Sequence, residues 1–216
     1  YAVGLMNWRG LEISRVALVV LVLATVTFDG FKETPAWAQL VTSYYLQFGN
    51  VTGLGTMGLL AFPLLFLALY LLFCLAMPAA AGRKLGPLQT AGAFVLSLVP
   101  IALAYHLAHY LIYLLIQGQM IVGLASDPFG FGWNLFGTAG FEPTAAIVNA
   151  QFAWFTAVGA VVIGHVLAVW LAHVAAVQLF GEQRAAVRSQ LPMLFLMVIY
   201  TVISLWILAQ PIVESA

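Results

Sequence analysis

The composition of this chain is typical of an integral membrane protein. Of its 216 residues, 64% are hydrophobic and only 6% are charged, and the formal net charge is zero. A soluble domain carries roughly 25% charged residues, so this chain cannot cover a surface that faces water. The neutral balance provides no basic field for nucleic acid. The single cysteine, Cys74, excludes a disulfide within the chain and a C-x-x-C metal site.

Five apolar stretches are long enough to cross a bilayer as helices, which takes about 20 residues each. In chain order they cover residues 13–31, 51–77, 88–116, 152–180 and 191–208. Helices are expected because an isolated strand would leave its backbone polar groups unsatisfied in lipid. The predicted fold is therefore an all-α integral membrane protein, a single domain built as a bundle of about five transmembrane helices in contact with the lipid bilayer.

The basic residues predict the orientation of the bundle. Connections on the cytoplasmic side of a membrane protein are enriched in Lys and Arg. Here such residues lie at the start of the first span and after the second and fourth spans: Arg9, Arg15, Arg83, Lys84, Arg184 and Arg188. If all of them are cytoplasmic, the spans alternate without conflict. This predicts a cytoplasmic N-terminus and an outer C-terminus, with Asp29, Asp127 and Glu142 on the outer side.

The two connections on the predicted outer side are rich in aromatic residues. Residues 34–50 are predicted to form a short interfacial helix that begins at Thr34–Pro35, because proline is favoured in the first turn of a helix. Residues 117–150 contain no Lys or Arg and are interrupted by glycines. This composition favours a lid over the bundle. An alternative is a site bordered by Asp127, Asn134 or Glu142.

The third span carries a polar stripe on an otherwise apolar helix. On a helical wheel, five polar residues fall within a stripe about 100° wide. They are His106, His109, Tyr110, Tyr113 and Gln117. Polar groups are costly in lipid and usually face the interior of a bundle. The stripe is therefore predicted to face other protein, a cofactor or water.

The fourth and first spans offer partners for this stripe. The fourth span has a small residue at every fourth position, which permits close helix approach. It also carries His165 at a depth similar to that of His106, which predicts a contact between these two histidines.

In the first span, Asp29 has Lys32 as an ion-pair partner at i+3. The two interpretations of Asp29 are a capped helix end and a functional carboxylate that faces His109.

The histidines are candidate ligands for a metal or a tetrapyrrole. An H-x-x-H pair places two imidazoles on one helix face, and with a third ligand it suits a transition metal. Haem or chlorin needs only single histidines. The candidate metal ligands are His106, His109 and His165, and Tyr110 and Tyr113 complete the candidate cofactor-binding set. The competing interpretation is that these side chains only form hydrogen bonds that hold helices together.

Two segments carry a resemblance to a known family. TVTFDGFKETPAW and AYHLAHYLIYLLIQGQMIVGLASDPFGFGWNLFGT resemble a family of uncharacterised bacterial polytopic membrane proteins. The members of that family are longer and have further spans upstream. The resemblance implies a bacterial plasma (inner) membrane location and a chain that is the C-terminal part of a longer protein. It implies no function.

Three functions are compatible with these features. The favoured hypothesis is a membrane subunit of a redox or metal/tetrapyrrole-binding assembly, with other membrane subunits as partners. The first alternative is a transporter or channel that uses the polar stripe, and the second is a purely structural subunit. Enzymatic activity is left open, because no nucleophile stands beside a base at helical spacing.

Overall fold

The computed structural model describes residues 3–6, 12–144 and 149–214, and over these ranges it contains helices and turns but no strand. In chain order the helices are α1 (Val3–Met6), α2 (Ile13–Lys32), α3 (Pro35–Phe48), α4 (Thr52–Ala80), α5 (Pro87–Phe94), α6 (Val99–Gln117), α7 (Met120–Ser126), α8 (Ala150–Phe180) and α9 (Gln183–Glu214). A 3₁₀ turn, Val95–Leu98, joins α5 to α6.

Five segments of the described chain are helices long and apolar enough to cross a membrane, which confirms the predicted number of apolar helices. They are Ile13–Lys32, Thr52–Ala80, Pro87–Gln117, Gln151–Phe180 and Gln183–Gln210. The first four agree with the predicted limits to within a few residues. The fifth begins at Gln183 rather than at residue 191. Its first turns are polar but are built from residues with good helix propensity, so the helix starts before the apolar run.

The third span is not one uninterrupted α-helix. It consists of α5, the 3₁₀ turn and α6, and Pro100 lies in the first turn of α6. Proline is tolerated there because the first N–H groups of a helix have no intrahelical acceptor. The break therefore comes just before the proline.

Helices α6 and α8 pack closely against each other, and small residues make this contact. A Cβ atom added to Gly164 would lie 2.9 Å from the carbonyl oxygen of Pro100 and would also meet Ala104. Ala168, Ala172 and other alanines of α8 are buried in the same core. The small-residue pattern of the fourth span thus packs against the third span, as such patterns do in helical bundles.

The other side of the core is formed by α2, α4 and α9, which use larger side chains. Buried residues from these helices include Leu23, Tyr70 and Met193. The Tyr70 hydroxyl donates a hydrogen bond of 2.7 Å to the carbonyl oxygen of Ala91, which joins α4 to α5. Much of the remaining surface of α4 is exposed leucine, for example Leu64.

The two ends of the bundle have different chemistry. At one end, which we call the α3 end, Thr34 caps α3 by accepting a hydrogen bond from the Trp37 amide, as the Thr-Pro sequence predicts. No side chain of α3 is buried. At the opposite end, Arg83 and Glu182 form an exposed ion pair of 3.3 Å. This contact places the connections α4–α5 and α8–α9 side by side.

Candidate functional site

A cluster of ionisable side chains joins α2 to α6 near the α3 end. Asp29 accepts hydrogen bonds from the Tyr110 hydroxyl at 2.8 Å and from His109 Nε2 at 3.2 Å. Its other carboxylate oxygen lies 2.7 Å from Lys32 Nζ, which confirms the predicted i+3 ion pair. We call these four residues the Asp29 cluster. The carboxylate is partly exposed, whereas the His109 side chain is only 15% exposed.

Gly30 in α2 allows α2 and α6, the two helices that carry the Asp29 cluster, to lie close together. A Cβ atom on Gly30 would lie 2.8 Å from Ile207 Cγ2, 3.3 Å from the Tyr105 hydroxyl and 3.5 Å from His109 Cε1. An alanine at this position would crowd the side chains of Ile207 and Tyr105, so the glycine lets α2 lie close to α6 and α9. Neither the glycine nor Tyr105 was among the candidate site residues predicted from the sequence.

The hydrogen bonds fix how protons are arranged in the cluster. A carboxylate only accepts hydrogen bonds, so His109 must donate its Nε2 proton to Asp29. The Nδ1 atom of neutral His109 then keeps its lone pair. A carboxylate held against one ring nitrogen in this way fixes the tautomer and stabilises the imidazolium that forms when the other nitrogen takes a proton. The arrangement therefore leaves Nδ1 of neutral His109 as a hydrogen-bond acceptor.

His109 also lines a cavity of about 230 Å³, which we call the His109 cavity. The remaining walls come from α2, α6, α8 and α9, and they are mostly apolar: Gly30, Glu33, Ala108, Ile112, Ala153, Trp154, Ala157, Ile207 and Leu208. Its ionisable wall groups are His109 and Glu33. The cavity can therefore hold a molecule with an apolar body that donates hydrogen bonds.

Two buried hydroxyls near this site lack partners. Within the described ranges, Tyr105 Oη and Ser204 Oγ are buried and form no hydrogen bond. Tyr105 lies behind Gly30 and His109, both of which line the His109 cavity. A buried hydroxyl without a partner costs roughly 1–3 kcal/mol. Tyr105 belongs to the YHLAHY stretch, but its wheel position set it outside the predicted stripe.

The predicted polar stripe does not face the interior of the bundle. The buried residues of α6 are Ile101, Ala102, Ala104, Tyr105 and Ala108, a face rotated by about 120° from the stripe. Tyr113 is 66% exposed, and Tyr110 and Gln117 are also exposed. The stripe lies outside the core of this chain because the small residues of α6 pack against Gly164, and this contact sets the rotation of the helix. His106 and His109 lie at the edge of the buried face.

The four histidines make four different contacts. His106 donates its Nδ1 proton to the carbonyl oxygen of Ala102 at 2.9 Å. His165 donates likewise to Val161 at 2.7 Å, and its Nε2 lies 2.6 Å from the hydroxyl of Thr201. No hydrogen bond joins His106 to His165, the pair expected from their depth, in the described structure.

The side chain of His173 forms a hydrogen bond with a residue of α9. Its Nδ1 accepts a hydrogen bond of 3.1 Å from the side-chain amide of Gln190. In the described ranges, no three His, Cys, Asp or Glu side chains are grouped so as to hold a metal ion. A metal site built from His106, His109 and His165 together therefore has no support in the geometry. His106 differs from the other three because its hydrogen bond is made only within its own helix.

Asp127 and Glu142 lie in the connection that follows α6, and among the described residues no hydrogen bond or ion pair joins them to the Asp29 cluster. Asp127 accepts hydrogen bonds from the amides of Phe131 and Gly132 at 2.9 Å and 2.8 Å, so its carboxylate organises a turn. Asn134 does the same for the amide of Ala139. Glu142 is exposed in a segment without regular structure. Residues 145–148 lie outside the described ranges, so the connection of this segment to α8 is not described.

A second cavity of about 240 Å³ lies between α2, α4, α6 and α9, and we call it the Tyr200 cavity. Its walls are almost wholly aliphatic or aromatic: Val20, Leu23, Thr27, Phe62, Leu65, Phe66, Leu69, Tyr70, Leu98, Ile101, Met193, Leu196, Met197, Ile199, Tyr200 and Ile203. In contrast to the His109 cavity, it is lined by no charged residue and no histidine.

No family model matches this chain, and neither a curated protein nor a solved structure matches it. Function must therefore be argued from the two cavities, the Asp29 cluster and the histidines themselves.

Proposed function

We propose that this chain is an integral membrane subunit of a redox assembly, in which the His109 cavity binds a lipid-soluble hydroquinone. His109, held by Asp29, takes a proton from a hydroxyl of the bound molecule. The observation that supports this proposal is the position of His109, which both lines an apolar cavity and bonds a carboxylate through Nε2.

The class of ligand follows from the chemistry of the walls. A cavity bounded by Ile112, Trp154 and Leu208 at the end of apolar helices favours a molecule that reaches it through lipid and has an apolar ring. The ionisable wall groups are His109, which accepts at Nδ1 when neutral, and the carboxylate of Glu33. A hydroquinone has the required apolar ring and hydroxyl donors.

The proton and the electrons take separate routes in this proposal. Oxidation of a hydroquinone to a quinone releases two protons and two electrons. The first proton goes to His109 Nδ1, where Asp29 stabilises the imidazolium that results, and the second goes to the carboxylate of Glu33, the other ionisable wall group. The two electrons pass one at a time to one-electron acceptors in the assembly. On the predicted orientation, the cluster lies at the outer face of the membrane, so the protons leave on that side.

His106 is the residue best suited to hold a tetrapyrrole in such an assembly. Its Nδ1 proton is given to Ala102, which fixes the tautomer that leaves the Nε2 lone pair available to a metal. His165 lacks this freedom because Thr201 occupies its Nε2. A haem or chlorin bound at His106 would supply one-electron chemistry.

The first experiment is equilibrium binding of a redox-inactive hydroquinone analogue to the protein in lipid nanodiscs. Wild type is expected to bind one analogue per chain. His109→Ala should weaken binding by about tenfold or more, the value of a hydrogen bond to an ionisable group. Asp29→Asn should weaken it less, because the imidazole remains.

The matched control is His173→Ala, which removes a histidine from α8 that lines neither cavity. This variant should bind the analogue like wild type. If wild type binds no analogue, or if both histidine variants bind equally well, the hydroquinone site is wrong. An absorption spectrum of wild type and His106→Ala tests the tetrapyrrole separately.

Transport is a second candidate function, and one observation favours it. The 3₁₀ turn Val95–Leu98 interrupts the third span, and short 3₁₀ stretches in the middle of a helix often mark hinges. A transporter would use the His109 cavity as a solute site rather than the exposed Tyr113 or Gln117. It predicts solute flux in proteoliposomes that is lost in Ala157→Phe, which fills the cavity.

A further inference from the structure

The Tyr200 cavity has the shape of a slot that runs along the bundle. Its wall residues follow one another at helical spacing along three helices: Val20, Leu23 and Thr27 on α2, Phe62 to Tyr70 on α4, and Met193 to Ile203 on α9. At 1.5 Å per residue, the α9 wall alone extends over about 15 Å. The long axis of the slot is therefore parallel to the helices.

The few polar atoms in the walls are already satisfied. Tyr200 and Thr27 hydrogen-bond each other at 3.1 Å, and the Thr27 hydroxyl lies 2.7 Å from the Leu23 carbonyl oxygen. The Tyr70 hydroxyl is bound to Ala91. Each wall hydroxyl already gives its one proton to a protein oxygen, so a polar ligand that needs a donor would lose its hydration without compensation. Together with the apolar walls, this favours a hydrocarbon occupant.

The rim of the slot belongs to the exposed apolar surface of the bundle. Leu65, Ile199 and Ile203 line the cavity and are also exposed. Once the helices are embedded in a bilayer, this rim meets lipid acyl chains, which run in the same direction as the slot. Apolar cavities stay dry and take up apolar molecules.

We propose that the Tyr200 cavity is a binding site for one acyl chain of a membrane lipid, whose headgroup stays outside the bundle. The proposal requires the membrane insertion proposed above, but it is independent of hydroquinone binding in the His109 cavity. The bound chain would complete the packing between α2, α4 and α9.

Photo-crosslinking in nanodiscs tests this site. The probe is a phosphatidylcholine with a diazirine on one acyl chain, and the readout is the set of labelled residues found by mass spectrometry. Leu23 and Ile101 line the cavity but are only 6% and 2% exposed, so lipid at the outer surface cannot reach them. Adducts on both residues are expected in wild type, together with adducts on the exposed Leu64.

A filling variant and a matched control decide the outcome. Leu69→Trp enlarges a wall residue of the slot, whereas Leu72→Trp enlarges an exposed residue of the same helix outside it. Adducts on Leu23 and Ile101 should be lost in the first variant and retained in the second. Leu65→Phe is the substitute if Leu69→Trp does not fold.

Three results would overturn the proposal. The first is labelling of wild type on exposed residues alone, and the second is an equal reduction of the buried adducts in Leu69→Trp and Leu72→Trp. Displacement of the adducts by an excess of unlabelled polyprenol, but not of phosphatidylcholine, would assign the slot to an isoprenoid chain instead. Because His109→Ala leaves the slot intact, it should label like wild type, which separates this result from the hydroquinone test.

Discussion

Helix α8 is joined to its two main neighbours by different means. Its contact with α6 consists of glycine and alanine, with Gly164 close to Ala104 and to the backbone of Pro100. Its contact with α9 includes side-chain hydrogen bonds, from Thr201 to His165 and from Gln190 to His173. The first contact depends on the absence of side chains, and the second depends on their polar groups.

This difference assigns separate tasks to the histidines. Those of α8 are engaged by α9 and hold two helices together, whereas His109 of α6 bonds the carboxylate of α2 beside a cavity. A histidine within an apolar helix is therefore not evidence of a ligand by itself. The side chain that a histidine contacts on a neighbouring helix decides whether the histidine is structural or available for chemistry.

The largest effect is expected from adding one methyl group between α6 and α8. In Gly164→Ala, the new Cβ atom would lie 2.9 Å from the Pro100 carbonyl oxygen, a backbone atom that cannot rotate away. The helices must separate, and overpacking of this kind typically costs about 1–3 kcal/mol, with a value near the upper limit expected here. The free energy of unfolding in mixed detergent micelles measures the effect.

Gly159→Ala is the matched control on the same helix. A Cβ atom at Gly159 would have no other atom within 4 Å. Alanine is favoured over glycine in a helix by about 1 kcal/mol, so this variant should be slightly more stable than wild type. Equal destabilisation by both variants would show that α6 and α8 do not meet through Gly164.

A smaller loss is expected when the α8–α9 contact is broken at Thr201. With its Nδ1 proton given to Val161, neutral His165 can only accept at Nε2, where the Thr201 hydroxyl lies 2.6 Å away. The same hydroxyl lies 2.7 Å from the Met197 carbonyl oxygen, so its one proton is shared between the two acceptors. Thr201→Val removes that donor and leaves a partly buried nitrogen without a partner, at a cost of about 1–2 kcal/mol. Thr56→Val is the control, because Thr56 is exposed and bonds only its own helix. Equal stability of Thr201→Val and wild type would contradict the contact.

The sequence predicted the helices well, because hydropathy is a local property. All five spans were found, as was the Thr34 cap, since a Thr-Pro pair before a helix acts only on the next turn. The start of α9 was missed because its first turns are polar, and the fifth span was placed from its run of apolar residues alone. The interruption at Val95–Leu98 was also missed, since those residues are themselves apolar.

The candidate site was harder to predict, because it depends on how helices are rotated about their axes. The pairing of Asp29 with Lys32 lies within one helix and could be predicted from spacing. The contact between Asp29 and His109 was one of two interpretations of that carboxylate. Tyr105 was excluded and Tyr113 was included, because the stripe was assumed to face inward. Only the position of Gly164 against α6 corrects that assumption.

The smallest effect is expected at the second polar link of the α8–α9 contact. Gln190 donates one amide proton to His173 Nδ1 and the other to the carbonyl oxygen of Ala186 in its own helix. Both side chains are partly exposed, so water can replace the lost donor in Gln190→Met. The expected loss is about 0.5–1 kcal/mol, below that of Thr201→Val. Unfolding in mixed micelles should rank the two variants in that order. The reverse order would mean that α9 is anchored to α8 mainly at the Arg83 end rather than in the middle of the bundle.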